Sequence, residues 1–83
     1  MEPRERAKKD MDKLGRMIAR FRELGLAEKY PGIIGYADNY FADARHFYAE
    51  GDYFTAFGAA NYAYGFIDAV LVIEGRKEEA LSP

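Results

Sequence analysis

The chain has 83 residues, a formal net charge of −2 and 49% hydrophobic side chains, among them seven Tyr and six Phe. That length allows one domain, with a core near the lower limit for independent stability. There is no cysteine and one histidine, His46, which excludes disulfides and thiolate metal sites and leaves a zinc site short of nitrogen ligands; no cofactor is expected.

Charge is distributed unevenly. Residues 1–22 carry eight basic side chains against four acidic ones, whereas residues 23–83 carry four against ten. A basic first segment attracted to its own acidic remainder, or to that of a second copy, is the simplest consequence. The large apolar side chains exceed what a lone three-helix unit hides, so a homo-oligomer, a dimer in the simplest case, is expected. The charged start of the chain has no apolar run behind it, which reads as no signal peptide and a cytoplasmic setting.

A first helix is predicted from about residue 3 to residue 24, since Pro3 suits a first turn and Gly25 a stop. Ala7, Met11, Leu14, Ile18 and Phe21 recur at four and three, a narrow seam that docks along one edge. Arg6, Lys9, Lys13, Arg16 and Arg20 form a row of five cations about 21 Å long. Read sharply, the row is a phosphate-tracking strip for nucleic acid. Read plainly, it is a solvated face, because Glu2, Glu5 and Asp12 each precede a cation by four residues and offset it; the plain reading is preferred.

Gly25 to Gly32 reads as a structured loop, with Leu26 and Tyr30 folding back over the end of the core. A second helix is predicted over about 32–50. Ile34, Ala37, Phe41, Ala44 and Tyr48 make one apolar stripe and Ile33, Ala37, Tyr40, Ala44 and Phe47 another. Its polar face lines up Asn39, Asp43, His46 and Glu50, which without ligands from another helix is a solvated face and no metal site.

Gly51 and Asp52 are a stop and a start in two residues: a left-handed position to end one helix and a side-chain acceptor to begin the next. The third helix, about 52–74, is apolar on nearly every side. Ala56, Ala60, Ala63, Ile67 and Val70 form one stripe, and Ala59, Tyr62, Phe66, Ala69 and Ile73 a second. It either packs between neighbours or keeps a face for a partner chain. Its length would span a bilayer, but the mid-segment Asp68 and an Ala- and Tyr-rich composition argue for a core helix and no membrane. Residues 75–83 are expected to be a short tail.

On this helix Gly58, Asn61, Gly65 and Asp68 fall in one row, its only glycines together with its clearest polar groups. Interior glycines cost about 1 kcal/mol each against alanine, so the row marks a solvent face, a tight contact with another helix, or a ligand groove. Arg45, Tyr36 and Tyr40 are the expected partners of Asp68 if it is buried. With no Cys, a single Ser at Ser82 and one His, no hydrolase triad can be assembled.

Phe47, Gly51, Asp52, Tyr53, Ala56 and Ala63 resemble the skeleton of a single tetratricopeptide hairpin, with Asp68 where the closing proline would stand and no repeat. The stretch from Tyr40 to Ala69 is similar to the signature of the short archaeal proteins of domain-of-unknown-function family 357, through Tyr40, Asp43, Ala44, Gly51, Asp52, Ala56, Tyr62, Ala63, Gly65, Asp68 and Ala69. That resemblance implies a three-helix form and an archaeal cytoplasmic setting, and it carries no catalytic residue. The catalytic pair of a HEPN ribonuclease is not matched, since Arg45 and His46 are adjacent and point apart.

The expected architecture is therefore one all-α domain, a three-helix bundle with a long C-terminal hairpin. The expected function is a non-enzymatic protein-interaction module using the aromatic and small-residue face of the hairpin. The alternatives are a small-ligand or nucleotide groove at Asn61, Gly65 and Asp68 and nucleic-acid binding by the cationic row.

Overall fold

Five helices follow one another along residues 1–82, the residues that the computed structural model describes. Three are long, α1 (Pro3–Glu23), α3 (Pro31–Ala49) and α4 (Tyr53–Ile73), and two are short, α2 (Leu26–Lys29) and α5 (Lys77–Leu81). No strand is present among the described residues, and the class is all-α.

The α3–α4 turn forms as its two residues dictate. Gly51 has φ +84°, and its amide donates to Tyr48 O while that of Asp52 donates to Phe47 O, which satisfies the last carbonyls of α3. The Asp52 carboxylate then accepts the amide of Thr55 at 3.1 Å and caps α4. Asp52 is consequently held below the usual carboxylate range by hydrogen bonding from Thr55, side chain first and backbone second.

Cross-helix contacts give the directions. Arg4 meets Tyr48 and Arg22 meets Asp38, so α1 and α3 are antiparallel. Arg6 meets Phe57 and Lys13 meets Tyr64, so α1 and α4 run parallel, with α3 antiparallel to both. The core is built from Leu14, Ile18 and Phe21 of α1 against Ala37 and Ala44 of α3 and Ala56, Ala60, Ala63, Ile67 and Leu71 of α4. Alanine at five of these positions lets α3 and α4 pack closely while the bulk comes from α1 and the C-terminal half of α4. The molecule measures 35 × 24 × 17 Å. The buried residues of α4, Ala56, Ala60, Ala63, Ile67, Val70 and Leu71, all lie on one side of the helix, so the other side is left uncovered.

Two expectations are corrected. The connection expected as a loop contains α2, whose Leu26 is buried at 3% exposure; four residues are too few for a periodic pattern to register in the sequence. Residues 75–83, expected as a tail, contain α5, which folds back on the bundle; Pro83 lies outside the described residues. Gly75 turns the chain with φ +67°. Ala80 is buried, Arg20 of α1 donates to Glu79 O at 2.8 Å and Ala80 O at 3.3 Å, and Arg76 donates to Leu24 O at 3.0 Å. These contacts come from residues more than fifty positions away and hold a helix too short to stand alone.

Candidate functional site

The flank of α1 that faces α4 carries a regular seam. Arg6 lies 5.4 Å from the Phe57 ring centroid, Asp10 accepts from Asn61 Nδ2 at 2.9 Å, and Lys13 Nζ sits 4.3 Å above the Tyr64 ring. Asn61 Nδ2 also donates to Phe57 O at 3.0 Å. These contacts repeat at three and four on both helices because parallel helices present successive turns to one another.

The cationic row is thereby split. Arg6 and Lys13 are turned onto aromatic rings of α4, and Arg20 onto the carbonyls of α5 and onto Glu23 at 2.8 Å. Lys9 and Arg16 are exposed. The ion pairs expected from Glu2, Glu5 and Asp12 to the following cations do not form among the described residues. The local pairs run the other way, Arg6 with Asp10 at 3.4 Å and Lys8 with Asp12 at 3.1 Å. Asp10 is drawn to the α4 side by Asn61, which puts its carboxylate within reach of Arg6.

The row of Gly58, Asn61, Gly65 and Asp68 does not close a groove. Gly58 and Gly65 face outward, with no atom within 4 Å of a Cβ built on either. Asn61 and Asp68 border this strip on the flank, one tied to α1 and the other to α5. Lys77 Nζ lies 3.1 Å from Asp68 Oδ1. That is an ion pair by distance whose angles make no hydrogen bond, so the buried Oδ1 atom has no hydrogen-bond partner. The partner is therefore Lys77 of α5, in place of Arg45, Tyr36 or Tyr40. Arg45 packs over Phe41 at 4.6 Å.

The two tyrosines join an exposed ring cluster instead. Tyr36 stacks on Phe66 at 5.6 Å, and Tyr40 and Tyr62 meet edge to face at 4.9 Å, with Tyr62 5.0 Å from Phe66. This cluster adjoins the outer side of α4, where Phe54 is 85% exposed, Ile73 75%, Val72 58% and Tyr62 57%. Only one of the two stripes expected on α4 is buried; Ala59, Tyr62, Phe66, Ala69 and Ile73 remain partly or fully open. The helix is long and apolar enough to cross a membrane by length and composition, with a mean hydropathy of 1.4 over its best window, of which 33% is buried in the bundle.

Asn39, Asp43 and His46 lie exposed along α3, and Glu50 lies exposed at its C-terminal cap. His46 Nε2 is 3.1 Å from Glu50 Oε1, and among the described residues no three metal-ligating side chains converge. At the C-terminal end of α4, Glu74 accepts from Lys29 Nζ at 2.9 Å and from Tyr30 Oη at 3.2 Å. The Lys29 hydrogen bond holds the Glu74 carboxyl below its usual range, against a smaller opposing effect of burial, and Glu74 in turn raises Lys29. These groups tie α2 to α4 and serve structure.

Sequence reasoning missed a concavity. Lys13, Arg16, Met17 and Arg20 of α1, Tyr64 of α4, and Ala80 and Leu81 of α5 surround a groove of about 560 Å³. Its one legible signal was Lys13 and Arg16 flanking the apolar Met17; the opposing wall depends on α5.

A family model described as a protein of unknown function, DUF357, matches residues 5–75. The chain belongs to the DUF357 family. No curated protein and no solved structure matches it. In this DUF357 chain the seam, the outer face of α4 and the ring cluster all lie within the matched residues, whereas α5 lies beyond them.

Proposed function

We propose that this DUF357 chain is a non-enzymatic helical interaction module that assembles through the outer face of α4, with a second copy of itself as the partner. The observation that carries the reading is the run from Phe54 to Ile73, about 28 Å of helix, whose one charged side chain, Asp68, is turned to the flank and paired with Lys77. A water-facing helix surface of that length ordinarily carries charges. Among the described residues, seven large apolar side chains are left more than half exposed, and four of them are on this helix.

The order of residues favours self-pairing. With two copies of α4 antiparallel about a two-fold axis between Asn61 and Tyr62, Gly58 of one copy meets Gly65 of the other, and Phe54 meets Ala69. Glycine against glycine lets the backbones approach, and large against small fills the space on either side. The ring cluster of Tyr36, Tyr40, Tyr62 and Phe66 would widen the contact on the α3 side.

The test is the solution mass by light scattering at low and high salt, for the wild-type chain and for Phe54→Glu/Val72→Glu. Both substituted positions are exposed, so helicity by circular dichroism should be unchanged. The expected result is a dimer at both salt concentrations that the double variant reduces to a monomer. A wild-type monomer at the highest accessible concentration, a variant that remains dimeric, or uptake of the wild-type chain into uncharged lipid vesicles in place of dimerisation would overturn the reading.

A further inference from the structure

The groove between α1, α4 and α5 has a composition that neither the core nor the outer face of α4 requires. Its floor and far wall are apolar: Met17 is buried, Tyr64 is half-buried, Ala80 is buried, and Leu81 is 59% exposed although it borders a concave surface. Its mouth is cationic. Arg20 and Glu23 also border it, but they neutralise each other at 2.8 Å, and Arg20 spends its other donors on the carbonyls of Glu79 and Ala80. Arg20 therefore builds the wall.

Lys13 and Arg16 are different. One turn apart on the same helix, neither forms an ion pair among the described residues. Lys13 Nζ is held 4.3 Å above the Tyr64 ring at the groove's edge, where its charge is positioned and uncompensated. Two cations without a counter-charge over an apolar floor complement a molecule with an anionic head and a hydrocarbon body.

We propose that this groove binds a small anionic amphiphile, a carboxylate or phosphate on a short hydrocarbon chain, with the head at Lys13 and Arg16 and the chain along Met17, Tyr64 and Leu81. The site is on the α1 flank of α4, apart from the outer face, and so stands independently of self-association. Leu81 would pass from exposed to covered when the chain of the ligand is seated. Because α5 forms one wall, ligand and α5 would stabilise each other.

The test is a titration of the full chain with octanoate, octyl phosphate, octanol and octyltrimethylammonium below their aggregation concentrations, followed by calorimetry and by amide shifts in two-dimensional NMR. Octanoate and octyl phosphate arms separate the two head groups. The expected result is saturable binding of at least one anion with shifts at Lys13, Tyr64 and Leu81, a loss of tenfold or more for octanol, and none for the cation. Each methylene removed from the better anion should weaken binding by about two- to fourfold, the range for partial to full burial of a CH₂.

Lys13→Gln/Arg16→Gln should lower affinity for the anion at least tenfold and leave octanol unchanged. Both side chains are exposed, and an unaltered melting temperature would show that the fold is retained. Phe54→Glu/Val72→Glu, which alters only the outer face, should bind as the wild type does. Absence of binding by both anions, equal affinity for octanol and octanoate, or shifts confined to Phe54 and Val72 would overturn the proposal.

Discussion

Replacing Gly58 and Gly65 with alanine should stabilise the monomer, although both glycines sit in the middle of the longest apolar helix. Each lies within α4, and a Cβ built on either meets no atom within 4 Å. A Gly→Ala change at such a helix-interior position gains about 1 kcal/mol, largely by restricting the unfolded chain. The two positions are about 10 Å apart along the axis, far enough for their effects to add to about 2 kcal/mol. A domain of this size has roughly 4–12 kcal/mol of stability in all, so the gain should raise the midpoint of thermal unfolding by about 8–16 °C. The assay is urea unfolding followed by circular dichroism at a concentration where the chain is monomeric, with the slope against denaturant unchanged. Gly15→Ala is the internal contrast. Its Cβ would lie 3.2 Å from Cζ of Phe41, so it should gain less than either outer glycine. A lower midpoint for Gly58→Ala/Gly65→Ala in the monomer, or a larger gain from Gly15→Ala, would refute the assignment of these glycines to an open face. At high concentration the same double variant should dimerise more weakly, because the added methyls fall where the two helices would touch.

Removing the α4 cap with Asp52→Ala should cost about 1 kcal/mol, read as a lower urea midpoint, while Asp52→Asn should retain most of it. Glu74 has a folded pKa below its ordinary value of 4.5, so between those values the unfolded chain binds more protons and stability rises with pH. Its contribution is complete above that ordinary value and is lost as pH falls through the folded one. Lys29 has a folded pKa above its ordinary value of 10.5, so its contribution is complete below that value and is lost as pH rises through the folded one; Glu74→Gln should flatten both ends of a urea-midpoint profile. A double-mutant cycle of Asn61→Ala with Asp10→Ala should give a coupling of about 0.5–1.5 kcal/mol, the worth of one such hydrogen bond, whereas no coupling would mean that the seam is not formed in solution. Ile67→Ala, which empties a fully buried position, should cost about 2–5 kcal/mol and leave the groove's ligand affinity unchanged once the chain is folded.

Much of the fold was legible in the residues because it depends on neighbours in sequence. The Gly51–Asp52 turn needs only a left-handed position followed by a carboxylate, and the structure shows both in use. The stripes of α1, α3 and α4 follow from the helical period, and the family signature from Tyr40 to Ala69 lies within the matched residues. What the sequence could not decide was every feature whose cause lies far along the chain. Leu26 to Lys29 and Lys77 to Leu81 are too short to form helices by propensity, and α5 is held by Arg20, sixty residues before it. For the same reason Asp68 found Lys77 in place of Arg45. The acids preceding the α1 cations suggested a solvated row, but the parallel packing of α1 on α4 set Phe57 and Tyr64 beneath Arg6 and Lys13 and brought Asn61 to Asp10. Two apolar stripes on α4 were determined by sequence alone. Which of them would be covered was a tertiary decision, because α1 and α3 pack on one side of α4 and leave its other side open.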